Sequence, residues 1–242
     1  MPARLQAMTT ATETPVCSGL YRLLTWLSPA FPTGAFSYSH GLEAAVAYDA
    51  VRDRATLHRW IAAIVVQGSG RTDTDILRDA YRAQVAGDAP GVAAANRRGL
   101  AYRPTAELAL ESNQQGEAFR ATWRAAWHEA APDAMPLPLP DGEAVCLPAM
   151  LGMATAEAGI TLDEVLLAYL QALAGNLVSA GLRLGVIGQT DGQRIMAALE
   201  PLVCAAAAAV LDRDPADFGG ATFALDVASM AHETQYSRLF RS

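Results

Sequence analysis

The chain has 242 residues, of which 52% are hydrophobic and 18% charged, and its formal net charge is -7. The negative charge argues against a nucleic-acid binder, whose affinity would come mostly from cations on phosphates. Three cysteines without close pairing and no N-terminal signal pattern favour a cytoplasmic protein with reduced thiols. Because no long linker divides the sequence, we expect one domain.

The N-terminal part of the sequence changes character near residue 19. Residues 1–18 are rich in Thr, Ala and Pro without an apolar period, which predicts a disordered leader. Dense apolar residues over Leu20–Leu27 predict a short helix, and the prolines and glycine from Ser28 to Gly34 predict a shaped loop. We expect a helical domain over 19–228 and a separate partner-binding segment over 229–242.

Helical periodicity recurs along the rest of the chain. Apolar residues spaced by three and four predict helices over Thr56–Val66, Asp73–Val85, Thr105–Ala130, Thr161–Leu184 and Asp191–Leu211. Gly68 and Gly70 are expected to end the first of these, Asp73 to cap the second, and Thr161 with Glu164 to form a capping box. Gly87–Gly91 reads as a turn and Pro132–Pro140 as a surface connection.

Strand signals are almost absent, so the predicted fold is all-α, an irregular bundle of about eight to ten helices. The most membrane-like stretch, Val165–Ile187, is interrupted by Gln171, Asn176 and Arg183. Polar groups at that spacing would be costly in lipid, which favours a buried core helix. A membrane-associated helix remains the alternative.

Few residues form a recognisable chemical site. The four histidines are isolated in sequence, and no Cys and His lie at ligand spacing, so no firm metal site is predicted. A symmetric dimer could still pair one residue with its own copy, for which His232 and Cys204 are weak candidates. Ser39 and His40, with Glu43 as the acid, would suit a stand-alone enzyme. A loop whose hydroxyls cap the next helix explains the same residues more simply.

Two segments carry more information than the rest. The first, Trp26–Glu43, combines rigid prolines, a glycine and several aromatic residues before a helix, and can present Phe36 and Tyr38 in a fixed arrangement. The second, Ser229–Ser242, places Tyr236, Leu239 and Phe240 beside two arginines. That composition is typical of a segment that folds onto a partner, and equally of a last helix packed on its own core.

Both segments resemble signatures of the urease accessory proteins of the F type. Residues 28–43 match the pattern SPxxPxGAFSYSxGLE, and residues 229–242 match SMxHExxYSRLFRS. Weaker matches lie between them at Gly188–Gln193 and at Glu107–Gly116, where Ala109 stands in place of a charged residue.

The resemblance implies an all-α homodimer without catalytic activity that assists urease maturation. It would bridge a nickel-carrying GTPase of the G type and a scaffold protein of the D/H type that docks on apo-urease. Nickel would be handled by the complex, with no cofactor bound tightly by this chain. The implied partner-binding residues are Phe36, Tyr38, His232, Glu233, Tyr236, Arg238, Leu239, Phe240 and Arg241.

The family's function is coupled to GTP hydrolysis, which this chain would gate. In phosphoryl transfer an arginine supplied by another protein can stabilise the charge of the transition state, and the second segment contains Arg238 and Arg241. A protein that only holds the GTPase in one state needs no such arginine.

Overall fold

The computed structural model describes residues 16–129, 137–139 and 142–242. In this part of the chain all regular structure is helical, as predicted. The helices are α1 (Val16–Trp26), α2 (Leu42–Ala47), α3 (Arg54–Gln67), α4 (Ser69–Val85), α5 (Ala89–Ala101), α6 (Ala106–Trp123), α7 (Leu147–Glu157), α8 (Leu162–Arg183), α9 (Gln189–Asp212) and α10 (Phe223–His232). Short 3₁₀ turns occupy Ala35–Ser37 and Pro215–Asp217, and a π-helical turn, Arg124–His128, extends α6.

Helix α4 lies at the centre of the bundle, where it packs against α3, α5, α7, α8 and α9. It buries charged side chains as well as apolar ones, and each charge has a partner. Asp75 lies 3.1 Å from Arg78 on the next turn and 3.0 Å from Arg213 beyond α9. Because unpaired buried charges are costly, these contacts explain how a polar sequence forms the central helix.

One hydrophobic core runs from Leu23 in α1 to Phe240 near the end of the chain. Aromatic rings fill the end of the core beside α1, where Trp26 meets the edges of Phe119 and Trp127 at centroid distances of 6.2 and 5.5 Å. Edge-to-face pairs at these distances are favourable. The segment after 228, for which the sequence left open a partner-binding segment or a last helix packed on the core, contributes Phe240 to this core.

Close helix packing explains one glycine in α6. A Cβ added to Gly116 would lie 2.1 Å from the carbonyl oxygen of Val145, just before α7. Helix α6 continues through Gly116 without interruption. The glycine serves close approach of the backbones, which no larger residue permits.

Several predicted boundaries were wrong. Helix α1 begins at Val16, inside the expected leader, of which 1–15 lies outside the described residues. Asp73 does not cap α4, which starts four residues earlier after Gly68 and includes Gly70. Asp73 instead forms an ion pair of 2.7 Å with Arg103 and accepts a hydrogen bond from Tyr169. The Asp73 carboxylate is therefore stabilised by an ion pair inside the bundle and not by the backbone amides at the start of a helix.

Local chemistry accounts for two further differences. Gly87 is a turn residue, but α5 already begins at Ala89, because the Asp88 side chain accepts a hydrogen bond from the Gly91 amide. Thr161 does precede α8, yet its hydroxyl donates to the Glu164 carboxylate at 2.7 Å and no backbone capping bond forms. No helix was predicted at α5 or α7, and α10 was anticipated only as the alternative of a last helix within 229–242.

Two further predictions concern the proline-rich connection after α6 and the apolar stretch of α8. The Pro132–Pro140 connection lies mostly outside the described residues, and within it Leu139 is buried. By length and composition α8 and α9 could each cross a membrane, but core helices of soluble proteins pass the same test. Half of the apolar stretch of α8 is buried inside the bundle, which fits a core helix.

Candidate functional site

The two information-rich segments of the sequence meet in space. We call residues 28–41 the signature loop and residues 233–242 the strap, which follows α10. The Ser39 amide donates to the Ser242 carbonyl oxygen at 2.8 Å, and the Arg241 amide donates to the Ser37 carbonyl oxygen at 2.8 Å. Ser39 also donates its hydroxyl to the Ser242 oxygen. The strap is therefore held along the signature loop by backbone pairing.

Glycine 41 makes this approach possible. Its backbone has φ +77°, a left-handed conformation that residues with a Cβ rarely adopt. A Cβ at this position would also lie 3.1 Å from the backbone nitrogen of Ser229 in α10. The glycine of the first segment is thus required both by its own conformation and by its contact with the second segment.

Glu43, at the start of α2, is the main acceptor for the strap. Its Oε1 accepts from the Leu239 amide at 2.7 Å, and its Oε2 accepts from the Phe240 amide at 2.9 Å. His232 Nε2 lies 3.2 Å from the same Oε2. A buried carboxylate with these donors replaces its lost hydration by protein hydrogen bonds.

His232 is fully buried between two carboxylates. Its Nδ1 lies 2.7 Å from Glu107 on α6, while its Nε2 faces Glu43 on α2. The other oxygen of Glu107 accepts from Arg238 of the strap at 2.8 Å. We call His232, Glu43 and Glu107 the latch, because these three side chains join α10, α2 and α6 beneath the strap.

A second carboxylate on α6, Glu111, holds the last residue of the strap. It accepts from the Ser242 hydroxyl at 2.7 Å, and His40 Nδ1 lies 3.4 Å away. Burial alone would raise the pKa of Glu111, but His40 and the Ser242 hydroxyl bring that pKa below its ordinary value. His40 has a left-handed backbone with φ 58°, and its Nε2 contacts the Ser69 hydroxyl at 2.8 Å.

Arg183, near the end of α8, joins the signature loop to the strap on another side. Its guanidinium carbon lies 3.7 Å from the ring centroid of Phe36 and 4.3 Å from that of Phe240. The guanidinium also donates to the Phe36 carbonyl oxygen at 2.5 Å. Burial lowers the pKa of Arg183 from its ordinary value. The stack fixes the position of Phe36, whose side of the ring away from Arg183 is open, since the residue is 60% exposed.

Comparisons with known proteins indicate the family of this chain. The sequence model described as UreF matches residues 51–200, which lie between the two segments. The urease accessory protein UreF of Azorhizobium caulinodans is 45% identical over 96% of this chain and all of that protein. UreF of Rhodopseudomonas palustris strain BisA53 is 44% identical over 94% of each chain, and that of Bradyrhizobium sp. strain ORS 278 is 45% identical over 93% and 92%.

The chain belongs to the UreF family of urease accessory proteins. The resemblance drawn from residues 28–43 and 229–242 is thereby confirmed, and so is the all-α fold. The relatives named above are accessory proteins by name, which fits a chain without catalysis of its own.

The predicted partner-binding residues divide into an outward and an inward group. Those facing solvent are Phe36, Glu233, Tyr236, Arg238, Leu239 and Arg241. Those facing inward are Tyr38, His232 and Phe240. Tyr38 donates its hydroxyl to Gln114 at 2.5 Å, and burial raises its pKa, against a smaller lowering by Arg241. The inward residues hold the segments together, and only the outward ones are placed to touch a partner.

Sequence reasoning missed Glu107, Glu111 and Arg183 as members of this site. Glu107 and Glu111 are four residues apart, so both carboxylates project from one face of α6. That spacing was a usable signal, because two acids on a buried face need donors from elsewhere. Nothing local marks Arg183, whose partners are 147 and 57 positions away along the chain.

An apolar stripe continues the outward surface along α10. Phe223, Val227 and Met230 are spaced by four and three residues and are all more than half exposed. Tyr236 is fully exposed and Leu239 is 63% exposed on the strap that follows. We call these five residues the apolar ridge. A contiguous row of exposed apolar side chains marks an interaction surface.

Other chemical hypotheses find no geometric support among the described residues. No group of three or more His, Cys, Asp and Glu residues in the described part of the chain has an arrangement that could hold a metal ion, and the latch is held by contacts among its own side chains. Both ring nitrogens of His232 face carboxylates, and Cys204 is exposed on α9. Ser39, His40 and Glu43 do not form a nucleophile, base and acid, because His40 contacts Ser69 and Glu43 binds the strap.

Proposed function

We propose that this UreF-family chain acts in urease maturation as a bridge between two other accessory proteins. One face would contact the scaffold protein that docks on apo-urease, and another would contact the nickel-carrying GTPase. Nickel is then cargo of the assembled complex and not a ligand that this chain keeps. The chain would work in the cytoplasm, as a homodimer and without catalytic activity.

The apolar ridge is the observation that carries this proposal. Aromatic and aliphatic anchors are the residues that dominate protein interfaces, and Tyr236 and Leu239 are held outward by a strap whose base is fixed at Glu43. A surface ordered before binding loses less entropy when a partner arrives. We assign the ridge to the scaffold protein.

Phe36 supports a second contact surface on the signature loop. It is exposed and fixed by the Arg183 stack, so a partner meets a rigid aromatic group. We assign this surface to the GTPase. The two surfaces are joined through the strap and Arg183, so both partners can be held on one chain.

A checkpoint on GTP hydrolysis fits this arrangement better than an arginine supplied in trans. Arg238 is paired with Glu107, so its reach toward a partner would cost an ion pair. Holding the GTPase in one state requires only binding. The rate of GTP hydrolysis by the GTPase, measured alone, with this chain and with the Arg241→Ala variant, tests the choice between the two. If the variant changes the rate as much as the unaltered chain does, the checkpoint is supported. If the variant has no effect on the rate, an arginine supplied in trans is supported.

Pairwise size-exclusion chromatography with light scattering tests the bridge. The chain alone should elute at twice its mass of 25.5 kDa. A variant carrying Tyr236→Ser and Leu239→Ser, which spares every buried anchor, should lose the scaffold protein and keep the GTPase. Phe36→Ser should lose the GTPase and keep the scaffold protein. Tyr21→Ser, at an exposed tyrosine on α1 that belongs to neither surface, is the control and should keep both partners.

Two results would contradict the bridge. If the unaltered chain forms no complex with either protein, the proposed function fails. If the ridge variant binds the scaffold protein as tightly as the unaltered chain, the assignment of the ridge is wrong.

A further inference from the structure

Docking of the strap depends on one buried histidine, and that dependence has a chemical consequence. We infer that His232 is a positioning residue that makes strap docking proton-linked, so that the strap is held when the ring carries both protons and released when it loses one. The inference concerns regulation of the proposed scaffold surface and rests on the proposed function only for that consequence.

The hydrogen-bond donors and acceptors of the latch determine which protonation state of His232 favours the docked strap. Ionised carboxylates only accept hydrogen bonds, whereas a neutral imidazole has one donor nitrogen and one acceptor nitrogen. His232 presents Nδ1 to Glu107 at 2.7 Å and Nε2 to Glu43 at 3.2 Å. Both contacts are satisfied only by the doubly protonated ring. A neutral ring leaves a nitrogen lone pair facing a carboxylate oxygen in a site that water does not reach.

The charge balance at the latch points the same way. Glu43 faces His232 from α2 and Glu107 faces it from α6, while Arg238 of the strap pairs with Glu107. Two negative and two positive charges therefore balance when the ring is charged. When the ring is neutral, one negative charge is left uncompensated in a buried position, which is costly.

The strap shares its acceptors with His232. Glu43 accepts from the Leu239 and Phe240 amides, and Glu107 accepts from Arg238. Any displacement of these carboxylates away from a neutral ring therefore withdraws the acceptors of the strap. The end of the strap has its own anchor at Glu111 and His40. Burial raises the pKa of Asp226 on α10, and the charge of His40 offsets part of that rise.

Strong acid should release the strap as well. A protonated carboxyl at Glu43 would turn one acceptor oxygen into a donor that faces a backbone amide. Strap docking is then greatest at intermediate pH and declines on both sides. The decline above neutral pH is the part that belongs to His232, because loss of one ring proton leaves a nitrogen lone pair facing a carboxylate oxygen.

Amide hydrogen exchange of the isolated full chain, followed by NMR, measures the docking directly. The amides to follow are those of Leu239 and Phe240, with protection factors corrected for the intrinsic pH dependence of exchange. Between about pH 6 and about pH 9 the protection should fall about tenfold or more, because a hydrogen bond to a charged acceptor is lost. His232→Gln should show low protection at both pH values and no such fall.

Two further variants keep the test decisive. Glu107→Gln offers an amide that can donate to a neutral ring nitrogen, so its protection should no longer fall on raising the pH. His128→Gln is the control, because it removes another histidine that lies 2.7 Å from a carboxylate, that of Glu157, away from the strap. In this variant the protection of the Leu239 and Phe240 amides should fall with pH as it does in the unaltered chain. Unchanged protection between the two pH values in the unaltered chain, or the same fall in His232→Gln, would overturn the inference.

The outcomes separate this inference from the proposed function. If protection depends on pH through His232 but no scaffold complex forms at either pH, the latch stands and the bridge fails. If the scaffold complex forms and protection is flat, the bridge stands and the latch inference fails.

Discussion

Replacing Glu43 by Gln should detach the strap while leaving the helical bundle folded. Glu43 accepts hydrogen bonds from the Leu239 and Phe240 amides and faces His232. The Gln side chain keeps one acceptor oxygen and turns an NH₂ group toward another donor. At least one hydrogen bond to a charged group is lost, so the free energy of strap docking should fall by about 2–4 kcal/mol. That corresponds to roughly 30-fold to several hundred-fold in the docking equilibrium.

Hydrogen exchange and urea denaturation together test this prediction. In Glu43→Gln the Leu239 and Phe240 amides should lose protection by that factor, while the free energy of global unfolding falls less, since the strap opens without the bundle. Glu233→Gln is the control, because its oxygen can still accept from the Ala106 amide, and its change should stay within about 0.5 kcal/mol. Full protection of both amides in Glu43→Gln would refute the reasoning about the strap.

Three other perturbations have defined outcomes. Gly116→Ala should destabilise the fold by about 3 kcal/mol or more, measured by urea denaturation, because its Cβ would overlap the Val145 carbonyl oxygen; an unchanged midpoint would show that the backbones can separate. Burial raises the pKa of Cys146 to about 11, so alkylation mapped by mass spectrometry should modify the exposed Cys204 and spare Cys146 until the chain unfolds; early Cys146 labelling would contradict this. Because the pKa of Glu111 is lower in the folded chain than in the unfolded chain, its ionised carboxylate stabilises the fold at pH values above the unfolded-state pKa. This stabilisation is lost as the pH falls through the folded-state pKa, so in Glu111→Gln the free energy of unfolding should fall less steeply toward acid pH than in the unaltered chain. The same steepness in both proteins would exclude that role.

The fold class and the long helices could be predicted because apolar periodicity is a local signal. Helices α3, α8 and α9 were found within a few residues of their ends. Helix α7 was missed because it is buried almost throughout, so its sequence has no polar face and no period. The start of α4 was misplaced because Asp73 resembled a cap, whereas its partner Arg103 lies 30 residues away along the chain.

The candidate site combines the two signature segments of the sequence, but nothing in either segment indicated that it would bind the other. Glu43 was considered only as a catalytic acid, and His232 only as a partner contact or a metal ligand. Their actual roles depend on contacts spanning 125 to 197 residues, such as Glu107 with His232 and Glu43 with Phe240. No local pattern encodes such pairings.

The bridge itself is tested most directly by mixing this chain with the scaffold protein and the GTPase and determining the mass of the eluted complex by light scattering. The account predicts one species that contains all three proteins, because it assigns the scaffold protein and the GTPase to different residues, the apolar ridge and Phe36. Competition, in which the scaffold protein displaces the GTPase from the chain, would contradict it.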